Sequence, residues 1–172
     1  GQYIVVTGKP SSGKSDFVDM MCLGYMQKYG WSVAYASPEN KPNKIHAGKL
    51  ISKICGQWIN SVSQLNTDWY KKAVSYMNDK IKYIDLKESY DLELVLEKTQ
   101  QLIFKHGIKV LVLDPYNKVR LKGSLNKGIN EYTNDYLLIF DTFCRKNDIL
   151  GILVMHPKKL DKQTEFDFYD IK

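Results

Sequence analysis

Arginine is almost missing from this 172-residue chain: only Arg120 and Arg145 occur. Chemistry that clamps an acceptor with several fixed guanidinium groups therefore has few candidates. Cysteine is scarce as well. Cys22, Cys55 and Cys144 are odd in number and far apart, which excludes a disulfide framework and a CxxC metal site. They read as buried thiols of a reducing compartment, and no His/Cys/Asp cluster has zinc spacing. Long hydrophobic runs are lacking too. The best, around Val110–Leu113 and Ile149–Met155, fall far short of the ~20 residues that span a bilayer. No charged-then-apolar leader opens the chain. These absences predict a soluble cytoplasmic protein without a membrane partner.

What is present suits one globular domain. Hydrophobic residues make up 44% and charged residues 26%, and the length allows a single buried core over residues 1–172. Acid is outnumbered, 19 against 25 Lys+Arg, for a formal charge of +6. That balance favours a polyanionic partner such as nucleic acid, although many ordinary domains carry as much.

Periodicity predicts alternating strands and helices. Tyr3–Thr7, Trp31–Ala36, Ile108–Leu113 and Ile149–Met155 read as buried strands, with a shorter one over Ile81–Leu86. Helical spacing runs over Asp16–Tyr29, Lys44–Cys55, Thr67–Asn78, Leu92–His106 and Glu131–Asn147, with Gly30 and Gly107 as stops. Lys118–Asn130 is rich in Gly, Lys and Asn and reads as a mobile loop. This alternation predicts an α/β fold with a largely parallel sheet flanked by helices. In such sheets ligands bind at the carboxyl ends of the strands. The unusual segments 8–15, 37–40, 114–117 and 156–159 all fall there.

The first of these carries the strongest signal. Gly8-Lys9-Pro10-Ser11-Ser12-Gly13-Lys14-Ser15 fits G-x-x-x-x-G-K-[ST], between a predicted strand and a predicted helix. Backbone N–H groups of such a loop and the helix N-terminus capture anions. Lys14 would reach the β- and γ-phosphates of a nucleoside triphosphate, and the Ser15 hydroxyl would ligate Mg²⁺. Asp114 ends a hydrophobic strand, where P-loop proteins place the aspartate of the metal shell. An ordinary Asp-Pro turn is its bland reading. Glu39 could orient or deprotonate an attacking water, or simply be an acid at a helix start. His156 could touch a γ-phosphate, or merely sit at a strand end. His46 and His106, on helical stretches, read as structural. Lys118, Lys122 and Lys127 in the loop, with Lys158 and Lys159 after His156, are candidates for nucleic-acid contact, or solubilising lysines of the kind loops usually carry. Tyr116 and Tyr132 could stack on bases.

Together with the phosphate loop, the segments Ser37-Pro38-Glu39-Asn40, Leu113-Asp114-Pro115-Tyr116-Asn117 and Val154-Met155-His156-Pro157-Lys158-Lys159 resemble the RecA-like motor of DnaB-type and Twinkle-type replicative primase-helicases. The resemblance covers nearly the whole chain in the right order. It implies a RecA-like P-loop ATPase using ATP and Mg²⁺, with Glu39 activating the water and His156 sensing the γ-phosphate. It implies DNA-facing loops near 118–130 and after His156, a hexameric ring, a possible attached primase and a phage or prophage setting. Compared with that family, the stretch before the first strand and the sequence beyond Tyr169-Asp170-Ile171-Lys172 are missing, so the resemblance implies a motor truncated at both ends. Neither arginine lies where the family places its finger, which is worth ~10³–10⁵ in rate in P-loop systems.

Two other classes compete. A small-molecule or nucleotide kinase would share the phosphate loop, but such enzymes usually carry arginine-rich lids. A RecA-like switch that binds ATP and DNA without unwinding would share every motif.

Overall fold

Strand alternation decides the layering. In β4 (Ile108–Leu113), Val110 and Val112 join one apolar cluster while Leu111 and Leu113 join another. Successive strand side chains point to opposite faces, so a strand apolar on both needs cover on both. The computed structural model describes residues 1–38, 43–59, 61–86, 90–122 and 128–156, and supplies that cover.

The sheet has five strands: β1 (Gln2–Thr7), β2 (Ser32–Ala36), β3 (Ile81–Tyr83), β4, and β5 (Leu150–Met155). Their order is β1-β5-β4-β2-β3, and every pairing is parallel. Three helices cover one face: α1 (Lys14–Tyr29), α2 (Asn43–Cys55) and α3 (Asp68–Lys80). Val18, Cys22, Met26, Leu50, Ile51, Ala73 and Met77 pack from them against Val33, Val110, Val112, Ile152 and Val154. The other face is covered by α4 (Leu92–His106) and α5 (Ile129–Lys146). Tyr136 and Phe140 of α5, both without exposed surface, are the largest side chains sealed there. This is a RecA-like α/β arrangement with a parallel sheet between two helical layers.

The approach of α5 to β5 is close enough to require glycine. A Cβ at Gly151 would lie 2.4 Å from Phe140 Cε1 and 2.7 Å from Cys144 Sγ. Methyl and ring cannot share that space in a close-packed core.

The predicted elements are all present, with two changes. The strand over 81–86 stops at Tyr83 because its neighbour β2 stops pairing at Tyr35. The loop predicted from Lys118 is anchored over its first part. Residues 116–118 form a 3₁₀ turn, Val119 and Leu121 are buried, and Arg120 exchanges backbone bonds of 2.7 Å with Tyr90 and Leu92. The Lys/Asn-rich composition hid two apolar anchors, Val119 and Leu121. Cys22 and Cys144 are buried as expected, whereas Cys55 is partly exposed.

Candidate functional site

The strand order brings distant residues to one edge. β5 lies between β1 and β4, with Thr7 opposite Met155 and Leu113 opposite Leu153. The residues that follow, Gly8, His156 and Asp114, therefore leave three adjacent strands on the same side. Neighbouring strands are about 4.8 Å apart, which puts the outer two backbones roughly 10 Å from each other. β2 stands on the far side of β4. There the Asp114 N–H donates to Ala36 O at 3.2 Å, and Ser37 Oγ donates to Asp114 O at 2.7 Å. Asp114 is itself buried, at 7% exposure.

The loop 8–15 is built from its backbone. Ser12 N–H donates to Lys9 O at 3.2 Å, closing a turn, and Ser11 and Gly13 take positive φ of 60° and 83°. Gly13 caps α1 without any side-chain hydrogen bond. The first-turn amides of a helix have no carbonyl four residues behind them, so the amino end of α1 offers donors and partial positive charge. Lys14 lies in that first turn, mostly buried. Its Nζ donates to the carbonyls of Gly8 and Lys9, both at 2.9 Å. An ammonium held over its own loop, beside unsatisfied amides, fits a phosphate chain. Ser15 follows it on the same turn. Pro10 completes the loop at its exposed tip.

Residues sequence reasoning did not connect lie directly behind this loop. Asp19 of α1, one turn beyond Ser15, is 3% exposed. It accepts from Tyr35 OH at 3.2 Å, from His46 Nε2 at 2.9 Å and from Lys53 Nζ at 3.0 Å. His46 Nδ1 lies 3.1 Å from Tyr83 OH. Lys53 also donates to Asp16 Oδ1 at 2.7 Å. That bond holds the Asp16 carboxyl below its ordinary value. Burial pushes the Lys53 ammonium down, but its bonds to Asp16 and Asp19 outweigh burial and leave it raised. Burial raises the Cys22 thiol to about 12 and lifts the Tyr35 hydroxyl well above its usual range. No spacing in the sequence marks this cluster, because its members come from α1, α2, β2 and β3.

Several expected contacts take other places. Tyr116 is buried with its ring edge-on to Tyr136, centroids 5.3 Å apart, so it offers no stacking face. Tyr132 OH accepts from the Leu121 N–H at 3.2 Å, fastening the segment after Asp114 to α5. Lys122 Nζ stands 3.6 Å from Asp91 Oδ2 and is largely exposed. Arg145 donates to Asp141 within α5, close to the amino edge of the sheet and away from the phosphate loop. Glu39, Lys127, Lys158 and Lys159 lie outside the described residues. Among the described residues no helix is long and apolar enough to cross a membrane. A groove of about 790 Å³ beside Ile4, Tyr25, Tyr29 and Trp31 opens at the amino edge, opposite the phosphate loop.

No family model matches the chain. Over 168 residues it is 29% identical to the Twinkle homolog protein, chloroplastic/mitochondrial, of Arabidopsis thaliana. The alignment takes in 93% of this chain and 24% of that protein. The chain is a distant relative of a Twinkle-type protein. It spans about a quarter of that relative's length.

Proposed function

We propose that the chain is the ATP-hydrolysing motor of a replicative DNA helicase, moving along single-stranded DNA. One observation supports this most. The strand followed by His156 is interleaved between the strand that leads into the loop at 8–15 and the strand followed by Asp114. Groups able to hold a triphosphate, a metal and a γ-phosphate contact then share one edge, and a motor needs all three in register. The amino end of α1 and Lys14 would bind and neutralise the phosphates. Ser15 and Asp114 would hold Mg²⁺, whose chemistry here is to withdraw charge from the phosphate oxygens. Both residue types are the hard oxygen donors that this ion prefers.

In this reading Glu39 takes a proton from the attacking water, and His156 contacts the γ-phosphate and responds to its loss. Those two roles rest on the resemblance of Ser37–Asn40 and Val154–Lys159 to the Twinkle type. The DNA contacts would come from Lys122, Lys127, Lys158 and Lys159. A hexameric ring is the assembly that the resemblance of the motifs implies. A primase partner and a cytoplasmic setting in a bacterium or phage-infected cell complete the proposal.

The test is ATP hydrolysis by the intact protein with and without single-stranded DNA. The proposal expects strong stimulation that disappears in Lys14→Ala, and Glu39→Gln that binds nucleotide without turning it over. Turnover indifferent to DNA would reject the motor.

A further inference from the structure

Asp19, His46 and Tyr83 form a chain of hydrogen bonds that the proposed chemistry leaves unused. Both ring nitrogens of His46 are engaged, Nε2 with Asp19 Oδ1 at 2.9 Å and Nδ1 with Tyr83 OH at 3.1 Å. A carboxylate only accepts, so Nε2 carries the proton and donates. Nδ1 shares the second hydrogen bond with the Tyr83 hydroxyl. Two aromatic rings fix the plane of the imidazole. Tyr35 and Tyr83 are stacked with centroids 6.0 Å apart, and His46 stands edge-on to both, at 4.9 Å and 5.7 Å. His46 is 5% exposed and Asp19 3%.

The placement gives this brace a purpose. Asp19 is one helical turn beyond Ser15 on the helix that opens with Lys14. His46 is in the first turn of α2, the helix that follows the Ser37–Asn40 segment. Tyr35 and Tyr83 are paired residues at the carboxyl ends of β2 and β3. The chain leaving β1 and the chain leaving β2 are therefore tied to each other just behind the site. A brace needed only for stability could have been apolar, since replacing buried polar networks by well-packed hydrophobic residues is often neutral or stabilising. A directional, fully satisfied network instead specifies one geometry.

We infer that His46 is a positioning residue: held by Asp19 and Tyr83, it sets α2 against the phosphate-loop helix so that the groups following β1 and β2 meet in register. This deepens the motor proposal and rests on it. Asp19 receives Lys53 as well, so the brace has one acidic centre, two aromatic hydroxyls, one imidazole and one ammonium.

The experiment compares four forms of the intact protein with Lys14→Ala as control, reading DNA-stimulated kcat, the Kd of a fluorescent ATP analogue and Tm. Tyr83→Phe keeps the ring and removes only the hydroxyl. It should lower kcat several-fold while Kd stays near that of the parent and Tm falls by no more than the few degrees that one unmade hydrogen bond costs. His46→Ala should lower kcat by about tenfold, the usual scale for a residue that orients catalytic groups. His46→Gln, whose amide can donate to Asp19 and accept from Tyr83, should recover much of the loss. Unchanged kcat in Tyr83→Phe, or Gln no better than Ala, would overturn the positioning role while the motor reading survives. Wild-type hydrolysis that ignores Lys14→Ala would bring down the motor reading and this inference with it.

Discussion

Ser37 Oγ donates a 2.7 Å hydrogen bond to the main-chain carbonyl of Asp114, joining the ends of two adjacent strands at buried positions. It is a cross-strand lock made beyond the last ladder bond, and it fixes where the chain turns after β4. Ser37→Ala leaves that carbonyl without this donor. The cost of unmaking such a bond is about 1–3 kcal/mol. A domain of this size loses roughly 2–4 °C of Tm per kcal/mol, so calorimetry should show a drop of several degrees.

Lys14→Ala removes the ammonium seated over the loop at 8–15, where Gly8 O and Lys9 O hold it. Charge-assisted hydrogen bonds are worth about 1.5–3 kcal/mol, so ATP affinity should fall by roughly 10- to 150-fold. Titration with a fluorescent nucleotide reads this directly.

Gly151→Ala places a methyl group against Phe140 and Cys144, at distances no real Cβ adopts. Overpacking of this kind costs about 1–3 kcal/mol. Pairing it with Phe140→Leu should return part of the loss, because the clash is with the far end of the ring. Non-additive Tm values in the double mutant would confirm the contact, and additive ones would refute it.

Acid stability should depend on Asp16. Lys53 holds its carboxyl below the ordinary 3.8, so the folded state binds fewer protons than the unfolded state around that pH. The contribution is complete above the unfolded value and is lost as pH falls through the folded one. Asp16→Asn should therefore be slightly less stable than the parent at neutral pH. The two should converge only once the pH has fallen below the lowered folded value. Acid titration followed by circular dichroism gives both curves.

Much of this architecture was legible because its signals are local. Val110–Leu113 reads as a strand from its apolar run alone, and Gly8–Ser15 stands out by its fixed spacing as the junction between β1 and α1. The α4 and β4 boundaries match the structure to the residue. What was hidden depends on partners far along the chain. Val119 and Leu121 sit in a polar stretch, and nothing nearby says that α4 and α5 will cover them. His46 looked isolated because Asp19, Tyr35 and Tyr83 reach it from three other elements. Tyr116 resembled a stacking residue until Tyr136 closed over it. Local patterns set the elements and the loop, while the strand order decided which side chains face one another.

The pairing of β1 has a consequence for how the molecule is made. Gln2–Thr7 bonds only to Leu150–Met155 among the described strands, so the phosphate-loop strand meets its partner across about 150 residues. At synthesis rates of about 5–20 residues per second, β1 waits roughly 7–30 s for its ladder with β5. Long-range parallel pairing is also slow in itself. The half of the domain centred on β2, β3 and β4 can assemble first. The loop at 8–15 then takes its final place last, once β5 has emerged.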